Sequence, residues 1–204
     1  PGVLTYTAGE ARDVSRSASA HNGPHLAGVE PIEFWKSFRV GRRGTAWELT
    51  DERLDGLAPV WCAGAQNGYA RLGGNVRRFV GLWPGEALLI ADLWVGADDR
   101  EAASHFLIPD DWSRAAGRNV AFRRGATHAR LSCFAGHIND VQEGRCWQRF
   151  GVEQKAHRVA VRPGPGSGFR TSALWIDWSG AGSGDAPEPS PESLARLFDA
   201  LRAC

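Results

Sequence analysis

The 204-residue chain contains no methionine. A chain that opens on "PGVLTY" with no initiator is expected to be a fragment, a processed product or an excised domain. The opening residues do not form a signal peptide, and a targeting signal would belong to the missing part. No apolar run approaches the roughly 20 residues that a membrane-spanning helix needs, so none is expected. An excess of one charge sign is also lacking: the net charge is +1, which leaves no global electrostatic case for nucleic acid. The four cysteines, Cys62, Cys133, Cys146 and Cys204, have no CxxC spacing, which argues against a zinc ribbon or a thioredoxin-type motif. Cys133 and Cys146 are the candidates for pairing across neighbouring strands, and free or buried thiols are the plainer expectation. P-loop, GxSxG and HExxH motifs are absent. "GPGSG" at 164–168 lacks the P-loop lysine and reads as a hairpin loop. Tyrosine is scarce, two against nine Trp and nine Phe. Tryptophan in antiparallel sheets packs cores, but on an exposed sheet face it stacks on sugar rings. The composition therefore permits carbohydrate binding without showing it.

Most of what is present reads as strands and turns. Short apolar runs recur at 38–49, 59–64, 77–83, 87–96, 104–109, 119–125, 129–136, 146–152, 157–163 and 171–179. Several alternate apolar and polar residues, and Gly/Pro/Asn clusters separate them, as at Gly73-Gly74-Asn75 and Pro84-Gly85-Glu86. Ten or so strands without intervening helices predict an all-β fold, a large antiparallel β-sandwich, over 1–179. Residues 180–191 are Gly/Ser/Pro-rich and read as a linker. Residues 192–204 form a short amphipathic tail helix, with Leu194, Leu197, Phe198 and Leu201 on one face and Ser190 or Ser193 as cap. Docking on the body is expected of that helix.

Of the six histidines, His21 and His25 share one connecting segment, "SASAHNGPHLAGVE". An imidazole beside Asn22 can bind a metal through one ring nitrogen while the other is fixed by an acceptor. The plainer alternative is a histidine that hydrogen-bonds a loop. The basic set is Arg12, Arg16, Lys36, Arg39, Arg42 and Arg43. Alternation along a strand 38–43 puts Arg39 and Arg43 on one face. Arginines there can fork onto carboxylate or sulfate groups, or simply guard a sheet edge.

Taken in order, several of these pieces resemble the opening of the C-terminal β-domain of heparinase II/III-family polysaccharide lyases. They are Gly2, Tyr6, Arg16-Ser17, Ala20-His21-Asn22, Gly28 and the Phe38–Arg43 strand, followed by Gly68-Tyr69, Arg77-Arg78 and Asp92 with Gly96. The resemblance covers residues 1–110 well and the rest by strand pattern. It departs at Gly23-Pro24, where the family has Thr, and at Ala27-Gly28, where it has Asp-Gly. It departs again at Val76, a position commonly held by His. The resemblance implies a supersandwich-like β-domain joined to an α/α toroid. The implied chemistry is cleavage of acidic, uronate-containing polysaccharides by β-elimination. His21 would be a metal ligand and Asn22 a site-organising residue, while Arg16, Arg39 and Arg43 would bind substrate. Zinc or another divalent metal would belong to the full-length protein and would not be held by this chain alone. The catalytic toroid and an upstream His-x-His-x-Asp motif are outside this sequence, so this chain alone is expected to be inactive. Periplasm, cell envelope or secretion is implied for the full-length protein, with the cytoplasm left open. The rival readings are a non-catalytic carbohydrate-binding β-sandwich and a structural module. On this resemblance His25 gains no role and is read as a loop histidine.

Overall fold

A computed structural model describes residues 2–36, 38–96, 100–115, 120–166, 168–179 and 187–204. The segment that leads in is helical: α1 (Glu10–Arg16) is followed by a single 3-10 turn at Ala18–Ala20. Strands β1 (Gly23–Leu26), β2 (Phe34–Trp35), β3 (Arg39–Val40), β4 (Ala46–Glu48) and β5 (Val60–Gln66) follow. The long strands come next: β6 (Asn75–Trp83), β7 (Ala87–Val95) and β8 (Ala102–Pro109). β9 (Ser113–Arg114), β10 (Val120–Arg124), β11 (Thr127–Ala135), β12 (His137–Arg149), β13 (Val152–Arg162) and β14 (Phe169–Ser179) lead to α2 (Pro191–Ala203).

The strands form an eight-stranded sheet in the order β4-β5-β6-β7-β14-β11-β10-β9 and a four-stranded sheet in the order β1-β8-β13-β12. β2 and β3 make a separate hairpin. All pairings are antiparallel, as the all-β reading expects. The centre of the large sheet is buried on both faces, which explains the nearly unbroken apolar run of β7. Alternation sends Leu89, Ala91 and Leu93 to one face and Ile90 to the other. β14 does the same, with Ala173 and Trp175 on one side and Leu174 on the other. The core between the sheets joins Ile90, Phe106, Phe122, Leu131, Val159, Val161 and Leu174. The opposite face of the large sheet is covered by α2, through Leu194, Leu197, Phe198, Ala200 and Leu201.

Local chemistry accounts for that helix. Pro191 occupies the first turn, where its missing N–H costs nothing, and Ser190 Oγ accepts from Ser193 N at 3.1 Å. At the other end the Arg77 guanidinium, from β6, donates to the carbonyls of Leu201 and Arg202, whose oxygens have no partner within the helix. The expected linker falls largely outside the described residues, at 180–186. Pro187–Ser190 lies within them, and Glu188 there pairs with Arg130 at 3.3 Å.

Two expectations change, and one open alternative closes. The strand expected over 38–49 is broken into β3 and β4. Glu33 draws the chain back, its carbonyl accepting from Gly41 N at 2.8 Å and its carboxylate from Arg42 N at 3.2 Å. The run 146–152 is not one strand: it holds the end of β12, a turn at 150–151 closed through Gly151 at φ +74°, and the first residue of β13. Cys133 and Cys146 lie in different sheets, and all four cysteines are free.

Truncating Leu197, which is 1% exposed, to alanine is expected to cost about 2–5 kcal/mol in urea unfolding. An unchanged midpoint would show that α2 contributes nothing to the body.

Candidate functional site

Arg78 and Asp92 face each other across β6 and β7, directly in register. Period-two alternation turns both side chains toward the four-stranded sheet. They form a two-pronged ion pair, Nε to Oδ1 at 2.6 Å and Nη2 to Oδ2 at 2.7 Å. Asp92 is 1% exposed. Ser104 of β8 donates its hydroxyl to the same carboxylate, so the pair joins the two sheets. Burial works against the Arg78 charge, but attraction and hydrogen bonds from Asp92 outweigh it and hold the guanidinium above its ordinary pKa. The remaining arm of Arg78 donates to the Asn22 carbonyl at 3.3 Å. The side chain of Asn22 reaches the other way and accepts from Leu107 N at 2.8 Å. Asn22 is thus pinned at both ends, to β6 and to β8.

His21 stands beside this anchor. Its Nε2 lies 3.2 Å from the Ser15 carbonyl. A carbonyl only accepts, so in the neutral ring Nε2 carries the hydrogen and Nδ1 keeps the lone pair. Burial pushes the imidazole below its ordinary pKa, which keeps it neutral near pH 7. Glu30 closes the loop from the other side, accepting from Ala18 N at 2.8 Å. His21 therefore offers one basic nitrogen. Asn22 Oδ1 is already engaged, and among the described residues no three His, Cys, Asp or Glu side chains come close enough to hold a metal ion. The donors present do not make up a metal site by themselves.

The arginines named from the sequence are placed by different elements. Arg16 lies over the Phe34 ring at 4.2 Å and donates to the Lys36 carbonyl at 2.8 Å, bracing the β2–β3 hairpin. Arg39 is in β3 and Arg43 follows it in a connecting segment, so no strand gives them a common face; both are exposed. His25 is not in a loop. It lies in β1, its Nδ1 3.2 Å from the Ala103 carbonyl, with its ring 4.1 Å from that of His105. His105 is pushed down to about 4, first by burial and then by the charges of His25 and Arg158. Sequence reasoning did not single out His105, Ser104 or Arg158, and it took Arg77-Arg78 and Asp92 only as matching letters. The usable signal was Asp92, a lone carboxylate inside the run "ALLIADLW". Tyr69 packs in the small core with Leu26, Val76 and Trp94, and burial pushes it up to about 12. By contrast Tyr6 is exposed and stacks between Phe38 and Phe150, at 5.5 and 5.0 Å.

A family described as Heparinase II/III-like, C-terminal, matches residues 1–179. Nothing among curated proteins matches. Among solved structures, a heparinase III is similar at 18% identity and TM-score 0.62, over 92% of this chain and 28% of the other. The heparan sulfate lyase HepC from Pedobacter heparinus is similar at 15% identity and TM-score 0.61, over 92% of this chain and 29% of the other. A further heparinase III gives 11% identity and TM-score 0.52, over 79% and 24%. The chain thus spans under a third of each structure, and at these identities the likeness is one of fold.

Two outcomes follow from the geometry. Asp92→Ala leaves the Arg78 charge without its partner and is expected to cost about 3–5 kcal/mol, part of it recovered in Asp92→Ala/Arg78→Met. Equal losses in both, by urea denaturation, would mean the pair is not the anchor. The second outcome concerns acid. His105 has a folded pKa of about 4 against an ordinary 6.5, so the unfolded chain binds more protons between those values. Stability is therefore expected to fall as pH drops from about 6.5 to about 4. His105→Gln is expected to flatten that slope, and a slope as steep as in the unsubstituted chain would exclude His105 as its source.

Proposed function

The chain belongs to the heparinase II/III-like C-terminal family, and from that premise we propose that it forms one wall of a cleft for an acidic, uronate-containing polysaccharide in a longer lyase. The family match over residues 1–179 carries this reading. Three tasks define β-elimination from a uronate. The carboxylate must be neutralised, the C5 proton removed and the leaving glycosidic oxygen protonated. In this chain His21 contributes a neutral imidazole with a free Nδ1, and the Arg78–Asp92 anchor holds Asn22 beside it. The other acid–base groups belong to an upstream α/α toroid. A divalent metal at His21 would likewise take further ligands from outside this chain. Arg39 and Arg43 are placed in the open, where either can meet substrate carboxylate or sulfate, while Arg16 supports the hairpin that carries Arg39. The Phe38–Tyr6–Phe150 stack suits a covering domain. Tyr6 is 50%, Phe38 71% and Phe150 62% exposed, an unusual outlay of aromatic surface. The full-length protein would act in the periplasm, at the cell envelope or outside the cell.

Incubated with heparin, heparan sulfate or alginate, the chain alone is expected to give no rise in the ultraviolet absorbance of unsaturated uronate. In affinity electrophoresis through the same polymers it is expected to be retarded. Turnover by the chain alone would overturn the divided-site reading, and absence of both turnover and retardation would overturn the glycan wall.

A further inference from the structure

The outer face of the four-stranded sheet is not bare. Residues α1 to Ala20 lie across it and enclose a cleft of about 200 Å³, lined by Ser17, Ser19, Leu107, Arg145, Trp147 and Arg158, among others. Strand alternation explains the lining. Val159 and Val161 of β13 face the inter-sheet core, so Arg158 faces outward beside its register partners Leu107 and Gln142.

The lining carries two guanidinium groups, Arg145 and Arg158, against one carboxylate, Glu143. Arg162 is paired with Glu101 at 3.0 Å and Arg145 with Glu153 at 3.4 Å, but Arg158 has no carboxylate within ion-pair distance among the described residues. His25 and His105 lie close enough to feel its charge. His105 bonds to the Ser19 backbone, and its buried Nδ1 has no partner among the described residues. The one carboxylate in the lining, Glu143, is exposed and pairs in register with His157, one residue out of step with Arg158. The serines have a defined polarity. Ser17 donates to the Val14 carbonyl at 2.8 Å, so in its 3.0 Å contact with Ser19 it accepts. The Ser19 hydroxyl hydrogen can turn from Ser17 to an incoming acceptor, giving up that bond while Ser17 keeps its own to the Val14 carbonyl.

We propose that this cleft is an oxyanion site, in which the Arg158 guanidinium and the Ser19 hydroxyl hold a sulfate or carboxylate group. A planar guanidinium fork with a hydroxyl donor suits such a group, and the missing counter-charge is what the anion supplies. The oxyanion site stands on the cleft itself; that the group is carried by a glycan rests on the proposed function. The turn that roofs the site ends at Ala20, the residue before His21. It is separate from the exposed Arg39 and Arg43.

The test is a nuclear magnetic resonance titration of the full chain with sodium sulfate, against sodium chloride at equal ionic strength. A second arm uses a sulfated uronate oligosaccharide. Both ligands are expected to give saturable shifts at Ser17–Ala20, Leu107 and the Arg158 side chain. Arg158→Gln is expected to weaken binding at least tenfold and Ser19→Ala severalfold, with dispersed spectra and unchanged urea midpoints showing that both variants fold. Sulfate shifts no different from those of chloride, or undiminished sulfate binding in both variants, would overturn the site. Saturable sulfate without oligosaccharide binding would overturn the glycan source. Oligosaccharide binding that ignores Arg158→Gln would overturn this cleft while leaving the proposed function standing.

Discussion

The buried pair between Arg78 and Asp92 organises this molecule. Each sheet of a sandwich needs an apolar inner face, and a carboxylate in the middle of β7 is costly there unless every oxygen is engaged. Here the oxygens are taken by a guanidinium fork and by the Ser104 hydroxyl of the opposite sheet. The pair thus fixes how the sheets face each other at that point, and the last arm of Arg78 fixes the Asn22 loop. The position of the loop beside His21 follows from that one arrangement. A hydrophobic pair would hold the sheets together equally well but would have no donor left for the loop.

Around this anchor the electrostatics are arranged to keep histidines neutral. His21, His25 and His105 all sit below their ordinary pKa, with burial the largest cause in each. Neutral imidazole is the form that offers a lone pair. The positive character of the region therefore rests on guanidinium groups, which do not titrate, and the lone pairs rest on imidazoles. Binding an anion and offering a base become separable tasks for separate residue types.

The all-β fold was legible because short apolar runs, nearly unbroken in the central β7 and alternating in half-buried strands such as β13, recur between glycine-rich turns. α2 was legible for a related reason: its face repeats every three to four residues and its cap is a serine before proline. α1 was not, because "EARDVSR" is short and largely polar, and only tertiary contact makes it helical. β12 was missed because an edge strand with polar residues on one side lacks a clear apolar run. In the site, His21 and Asn22 stood out through neighbouring letters that match a family. Arg158 and His105 did not, because their meeting is a product of β8 and β13 lying side by side, fifty residues apart in sequence. Arg39 and Arg43 show the converse error: spacing implied a shared face, and Glu33 folds the segment so that the spacing loses its meaning.

Arg77 and Arg78 are neighbours in β6 yet point to opposite sides, one closing the end of α2 and the other closing the sandwich. Their adjacency acts as a parity check on the strand. If β6 slipped by one residue against β7, both guanidinium groups would turn to the opposite face of the sheet; a slip one way would leave the helix end without its donor, and a slip the other way would leave Asp92 without its partner. A misalignment in either direction is then signalled on one face or the other, so neither slip leaves every partner in place.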